Sequence, residues 1–108
     1  MTYTVRFTAG ARKDLRDLHT CIAKNGSLES ADYVAREIVR AAMTLQDFPK
    51  RGTHPPELLK RGSRSYRQIF FKPYRILYRI RSSTVFIAVI ADGRRDMASL
   101  LSRRFPAY

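Results

Sequence analysis

Tyr74-Arg75-Ile76-Leu77-Tyr78-Arg79-Ile80 decides the fold. Its side chains alternate. Tyr74, Ile76, Tyr78 and Ile80 fall on one side, and Arg75, Leu77 and Arg79 on the other, which is the period of a β-strand with one packed face. Similar runs flank it, Ser65–Phe71 before and Thr84–Ile90 after. The separators are Lys72-Pro73 and Arg81-Ser82-Ser83, short enough for hairpins. The three runs therefore read as an antiparallel meander. The aromatic and aliphatic side is expected to pack on helices. The arginine side is expected to face outward, beside Arg67 and Gln68 of the preceding strand.

Working outward, Asp92-Gly93 ends the last run. Met97, Leu100 and Leu101 then predict a short helix ending near Phe105-Pro106, with Asp96 as its N-cap. Toward the N-terminus, residues 49–64 are loop by composition, with two glycines and three prolines, and Leu58-Leu59 is the pair expected to pin it down. Before the loop lie two amphipathic stretches. Ala11, Leu15, Leu18 and Ile22 follow Thr8, a natural N-cap. Ala31, Val34, Ile38, Ala41/Ala42, Leu45 and Phe48 follow Ser27 and run to Pro49. Asn25-Gly26-Ser27 joins them as a helical hairpin. Tyr3, Val5 and Phe7 alternate as an opening strand. The reading is α+β: an N-terminal strand, an antiparallel helical hairpin on a mostly antiparallel sheet, a three-stranded meander and a short C-terminal helix. Residues 1–108 are read as one domain.

Charge is divided unevenly along this frame. Residues 1–48 carry seven Lys/Arg against six Asp/Glu, whereas residues 49–108 carry fourteen against three. A sheet this basic attracts polyanions or an acidic protein. No apolar run reaches the roughly 18 residues of a membrane span. The opening residues contain no apolar signal segment. One cysteine, Cys21, excludes an internal disulfide and suits a reducing cytoplasm. Cys21 reads as a small packing residue rather than a nucleophile. His19 and His54 stand apart and give no metal-ligand cluster. His19 reads as a helix surface or boundary residue, and Tyr66, Tyr74 and Tyr78 as core. The expectation is a cytoplasmic protein that uses no cofactor, metal, small-molecule substrate or membrane.

Several motifs, taken together, resemble the RelE/ParE superfamily of toxins from bacterial type II toxin–antitoxin modules. Ala11-Arg12-Lys13-Asp14-Leu15 is similar to the family's "A-x-x-D-L" helix start, and Leu45–Gly52 to "L-x-x-x-P-x-x-G". Glu57-Leu58 and Tyr66-Arg67-Gln68-Ile69 add to the match. The most specific pieces are the "Y-R-I-x-Y-x-I" strand at Tyr74–Ile80 and the turn Asp92-Gly93-Arg94-Arg95-Asp96. The resemblance implies the same fold, a toxin silenced by a cognate antitoxin, and one of two targets. ParE-like members inhibit DNA gyrase without cutting. RelE-like members cut mRNA on the ribosome.

Chemistry bears on that choice. Cleavage by 2′-hydroxyl attack needs a proton acceptor, a proton donor and cations for the phosphate. Arg67, Arg75 and Arg95 match basic active-site positions of RelE-like enzymes, but arginine is a poor general base. The tyrosine those enzymes carry after the glycine-basic turn corresponds to Leu101 here. Tyr108 is the one tyrosine after Tyr78, and nothing in the sequence places it at the basic face. No catalytic residue is assigned on the ParE-like reading. Arg67, Arg75, Arg79, Arg94, Arg95, Arg103 and Arg104 are the candidate contacts to a target or to nucleic acid. The preferred expectation is a gyrase inhibitor. An mRNA endonuclease and a non-toxic nucleic-acid-binding module remain open.

Overall fold

The computed structural model describes residues 2–106, so Tyr108 lies outside the described residues. In chain order the elements are β1 (Thr4–Phe7), α1 (Ala9–Asn25), α2 (Leu28–Met43), a 3-10 turn (Thr44–Gln46), α3 (Pro56–Leu59), β2 (Arg67–Phe71), β3 (Tyr74–Arg81), β4 (Thr84–Asp92) and α4 (Met97–Arg104). The strands form one sheet in the order β1-β4-β3-β2, and β1 runs parallel to β4 while the other pairs are antiparallel. The α+β architecture is as expected.

The expected caps are in place. Thr8 Oγ1 accepts from the Ala11 N–H at 3.1 Å, Ser27 Oγ from Ser30 at 3.0 Å, and Asp96 Oδ1 from Ser99 at 3.1 Å. Each satisfies an amide that the first helical turn leaves unpaired. The α2 helix stops earlier than its periodicity predicts. The Thr44 hydroxyl donates to Ala41 O at 2.6 Å and accepts from Arg51, and the chain tightens into the 3-10 turn. Leu45 stays buried, but Phe48 is 67% exposed rather than on the core face. Pro49 bars helical geometry only at Phe48; the stop at Met43 coincides with the Thr44 contacts.

Ile38, Ala42 and Leu45 from the helical segments meet Ile76, Tyr78 and Ile87 of the sheet in the main core. Tyr78 is wholly buried. Its hydroxyl donates to Pro49 O at 2.7 Å and accepts from the Gly52 N–H at 3.0 Å, tying the 49–52 loop to the sheet. Gly52 has no room for a side chain, since a Cβ would stand 2.6 Å from Gln68 O and from the tyrosine oxygen.

The opposite sheet face is covered too, which the sequence reading did not anticipate. Leu58, Leu77, Val89, Met97, Leu100 and Leu101 form a second core beneath α3 and α4. The 49–64 loop supplies α3, with Pro56 at the helix start, where its missing N–H costs nothing. Leu58 is fully buried, and Leu59 keeps about a third of its surface exposed, at 37%. Four residues are too few to show helical periodicity in sequence.

Candidate functional site

This second face holds most of the candidate arginines, and the structure sorts them. Arg75 does not face water: its side chain is 10% exposed. Nη1 and Nη2 donate to the two Glu57 oxygens at 2.9 and 2.8 Å, and Nε donates to Gln68 Oε1 at 2.8 Å. The guanidinium fork is thus filled from within the protein. Arg75 hydrogen bonding holds the Glu57 carboxyl below its ordinary value of 4.5, against the opposing effect of burial. Gly93 makes room for this arginine, because a Cβ there would lie 2.9 Å from Arg75 Cδ.

Arg67 is not beside Arg75. In register it faces Tyr78, and residues directly opposite share a sheet face, so it belongs to the hairpin side. Its Nη1 donates to Gly52 O at 2.9 Å and Lys50 O at 3.2 Å. Gln68, opposite Leu77, is on the second face as expected.

Arg104 is structural. Nη1 donates to both Asp14 oxygens at 2.8 and 3.0 Å, and Nη2 to Ala88 O at 2.7 Å. Asp14 Oδ2 also accepts from the Ile90 N–H at 3.0 Å. Beyond Phe7 the β4 edge has no β1 partner, and this pair caps its exposed backbone groups while joining α4 to α1. Gly10 leaves the passage open, since a Cβ there would stand 2.6 Å from Arg104 Nη2.

Arg94 closes on its own neighbour, Asp92, at 2.6 Å. That hydrogen bond is the main reason the Asp92 carboxyl is held below its ordinary 3.8. Arg95 and Arg103 are exposed. Arg95 lines a cleft of about 390 Å³ with Asp14, Asp17, Cys21 and Asp92. Cys21 is exposed rather than packed. Tyr66 and Tyr78 are core, and Tyr74 packs partly against it. His54 Nδ1 donates to Tyr66 O at 3.0 Å, and His19 Nε2 meets Asp32 Oδ1 at 2.7 Å across the helical hairpin. Both histidines hold structure. No group of metal-ligating side chains occurs among the described residues.

Beyond the second core, the same face stays open near β1. Arg79 is half-buried, with Cζ 5.6 Å from the centre of the Tyr66 ring. Tyr66 stacks on Phe105 with ring centres 4.7 Å apart. Arg81 and Phe86 join these residues along a groove of about 370 Å³. Arg81 and Phe86 were not singled out in the sequence, and Glu57 only as part of a family motif. A signal existed for two of them. Arg81 continues the Arg75-Leu77-Arg79 alternation, and Glu57 is the only carboxylate between Asp47 and Asp92.

The triad expected for RNA cleavage is therefore not gathered into one site. Arg67 and Arg75 lie on opposite faces, Arg95 lines a separate cleft, and Leu101 is fully buried in the second core. The hairpin-on-sheet fold, with its basic second face, is that of the RelE/ParE superfamily. A family description, the ParE toxin of the type II toxin–antitoxin system parDE, matches residues 5–97, and the chain belongs to that family. The fold is similar to that of the chromosomal ParDE system of P. aeruginosa, at a TM-score of 0.71 and 18% identity over 84% of this chain and 96% of that one. The RelBE2 toxin–antitoxin complex of Mycobacterium tuberculosis gives 0.62 and 26% over 85% and 92%. A free-state mutant of E. coli RelE gives 0.63 and 18% over 95% and 98%. A search of curated proteins found no match.

Proposed function

We propose that this toxin acts in the cytoplasm as a non-catalytic, ParE-like inhibitor of DNA gyrase. The observation that carries the reading is the state of the positions that match RelE-like catalytic residues. Arg75 is clamped by Glu57 and Gln68 through three hydrogen bonds, and Leu101 is a buried aliphatic side chain. Neither accepts a proton from a 2′-hydroxyl. What remains is charge for binding: Arg79 and Arg103 on the second face, and Arg95 in the cleft beside α1.

A cognate antitoxin completes the module. Leu28, Tyr33, Val39, Met43 and Phe48 leave apolar surface exposed along and after α2, and the chain's net charge of +12 favours an acidic partner. Electrostatic steering would make that association fast and salt-sensitive. Induction of the toxin alone tests the reading. The expected outcome is filamentous cells with DNA-damage signalling, relieved by co-expressing the adjacent gene. Prompt translational arrest with codon-phased cuts in mRNA would replace gyrase by the ribosome.

A further inference from the structure

The groove at the open end of the second face shares only Arg79 with the gyrase reading, and its chemistry is specific. Arg79 Nε is buried and has no hydrogen-bond partner among the described residues, although the guanidinium lies over Tyr66. A buried donor left unpaired is costly, so the groove favours a ligand that brings an acceptor. Arg81 follows two residues later on the same face, about 6.7 Å along the strand. Arg6 of β1 is in register with Phe86, which is in register with Arg79, so a row of arginine, phenylalanine and arginine crosses three strands. No carboxylate lines the groove among the described residues. Its remaining wall includes Arg104, already occupied by Asp14 and Ala88.

We propose that this groove binds single-stranded nucleic acid, with one unpaired base against Phe86 and adjacent phosphates on Arg79 and Arg81. Interleaved arginines and aromatic rings match such a strand on both counts. Cations track the phosphodiester backbone, and a ring face accepts any base that is not already stacked. A duplex keeps its base faces covered and gains nothing from Phe86. An acidic peptide satisfies the arginines but has no flat group for the ring. The site lies apart from Arg75 and Leu101, and the inference does not depend on gyrase being the target.

The test is fluorescence anisotropy of the purified full chain with a 5′-labelled dT12, repeated with U12 and with a 12-base-pair duplex. The two single strands are expected to bind alike and more tightly than the duplex, and affinity should fall with salt. Arg81→Gln, at an exposed position, should weaken binding and reduce the salt slope by about 0.7, the value for one phosphate contact on a single strand. Phe86→Ala should weaken binding about tenfold and leave the slope unchanged. Arg36→Gln on α2 should change neither. Loss shared equally by Arg81→Gln and Arg36→Gln, equal affinity for the duplex, or no binding would overturn the proposal. So would displacement by a poly-glutamate peptide with Phe86→Ala silent, which would identify an acidic-peptide groove.

Discussion

The two faces of the sheet solve the same problem in different ways. On the hairpin side, α1 and α2 pack on the strands in the main core, and Tyr78 spends its hydroxyl stitching the 49–52 loop down. On the other side, two short helices cover only part of the sheet, leaving the Arg79–Arg81 groove open. The first face is committed to stability. The second divides its arginines between structural clamps (Arg75, Arg104) and groups still available to a partner (Arg79, Arg81, Arg103). Net positive charge on a strand face is thus a poor guide to contact until the internal carboxylates are found.

Truncation in the two cores sharpens this contrast most. Ile38→Ala, held between helix and sheet, should cost about 4 kcal/mol in urea unfolding, and Leu101→Ala about 3 kcal/mol. The smaller loss is expected because α4 is short and can settle toward the open groove. A larger loss at Leu101 would reverse the assignment of the main core.

Next comes the buried clamp. Glu57→Ala leaves Arg75 charged and poorly solvated, and should cost about 3 kcal/mol. The pH dependence follows from the depressed Glu57 carboxyl. The unfolded chain takes up this proton before the folded one does, so the clamp stabilises fully above the ordinary 4.5 and is lost as pH falls through the lower folded value. Urea midpoints should fall below about pH 4.5, and Glu57→Gln should flatten that acid limb relative to the parent. An unchanged limb would mean the clamp is not formed in solution.

A smaller effect is expected at Tyr78→Phe. It strips Pro49 O of its donor and the Gly52 N–H of its acceptor, a loss of about 1.5 kcal/mol. The smallest effect lies in the β3–β4 turn, where Ser82 has φ of 54°, a left-handed conformation that glycine adopts without strain. Ser82→Gly should be neutral or raise stability by about 0.5 kcal/mol. Thermal melts of both variants check these signs.

Much of the fold was legible because strong local signals agreed with the global arrangement. Thr8, Ser27 and Asp96 cap where their chemistry predicts, and the Tyr74–Ile80 alternation assigns Ile76 and Tyr78 to the hairpin core. The site was harder to read. Alternation places Arg75 on the second face but cannot reveal that α3 swings Glu57 over it. Arg67 was assigned to the wrong face because strand register depends on pairing, which its own run does not contain. Arg104 looked like a free helix-end cation until Asp14, ninety residues away, was seen to hold it.

The central claim is that a RelE/ParE-type fold whose cleavage positions are spent on structure works by binding gyrase. Purified gyrase supercoiling relaxed plasmid, with added toxin, tests this most directly. The account predicts lost supercoiling and accumulation of cleaved DNA, with Arg103→Glu weakening both and Arg36→Glu sparing them. Unimpeded supercoiling by gyrase at micromolar concentrations of folded toxin would contradict it.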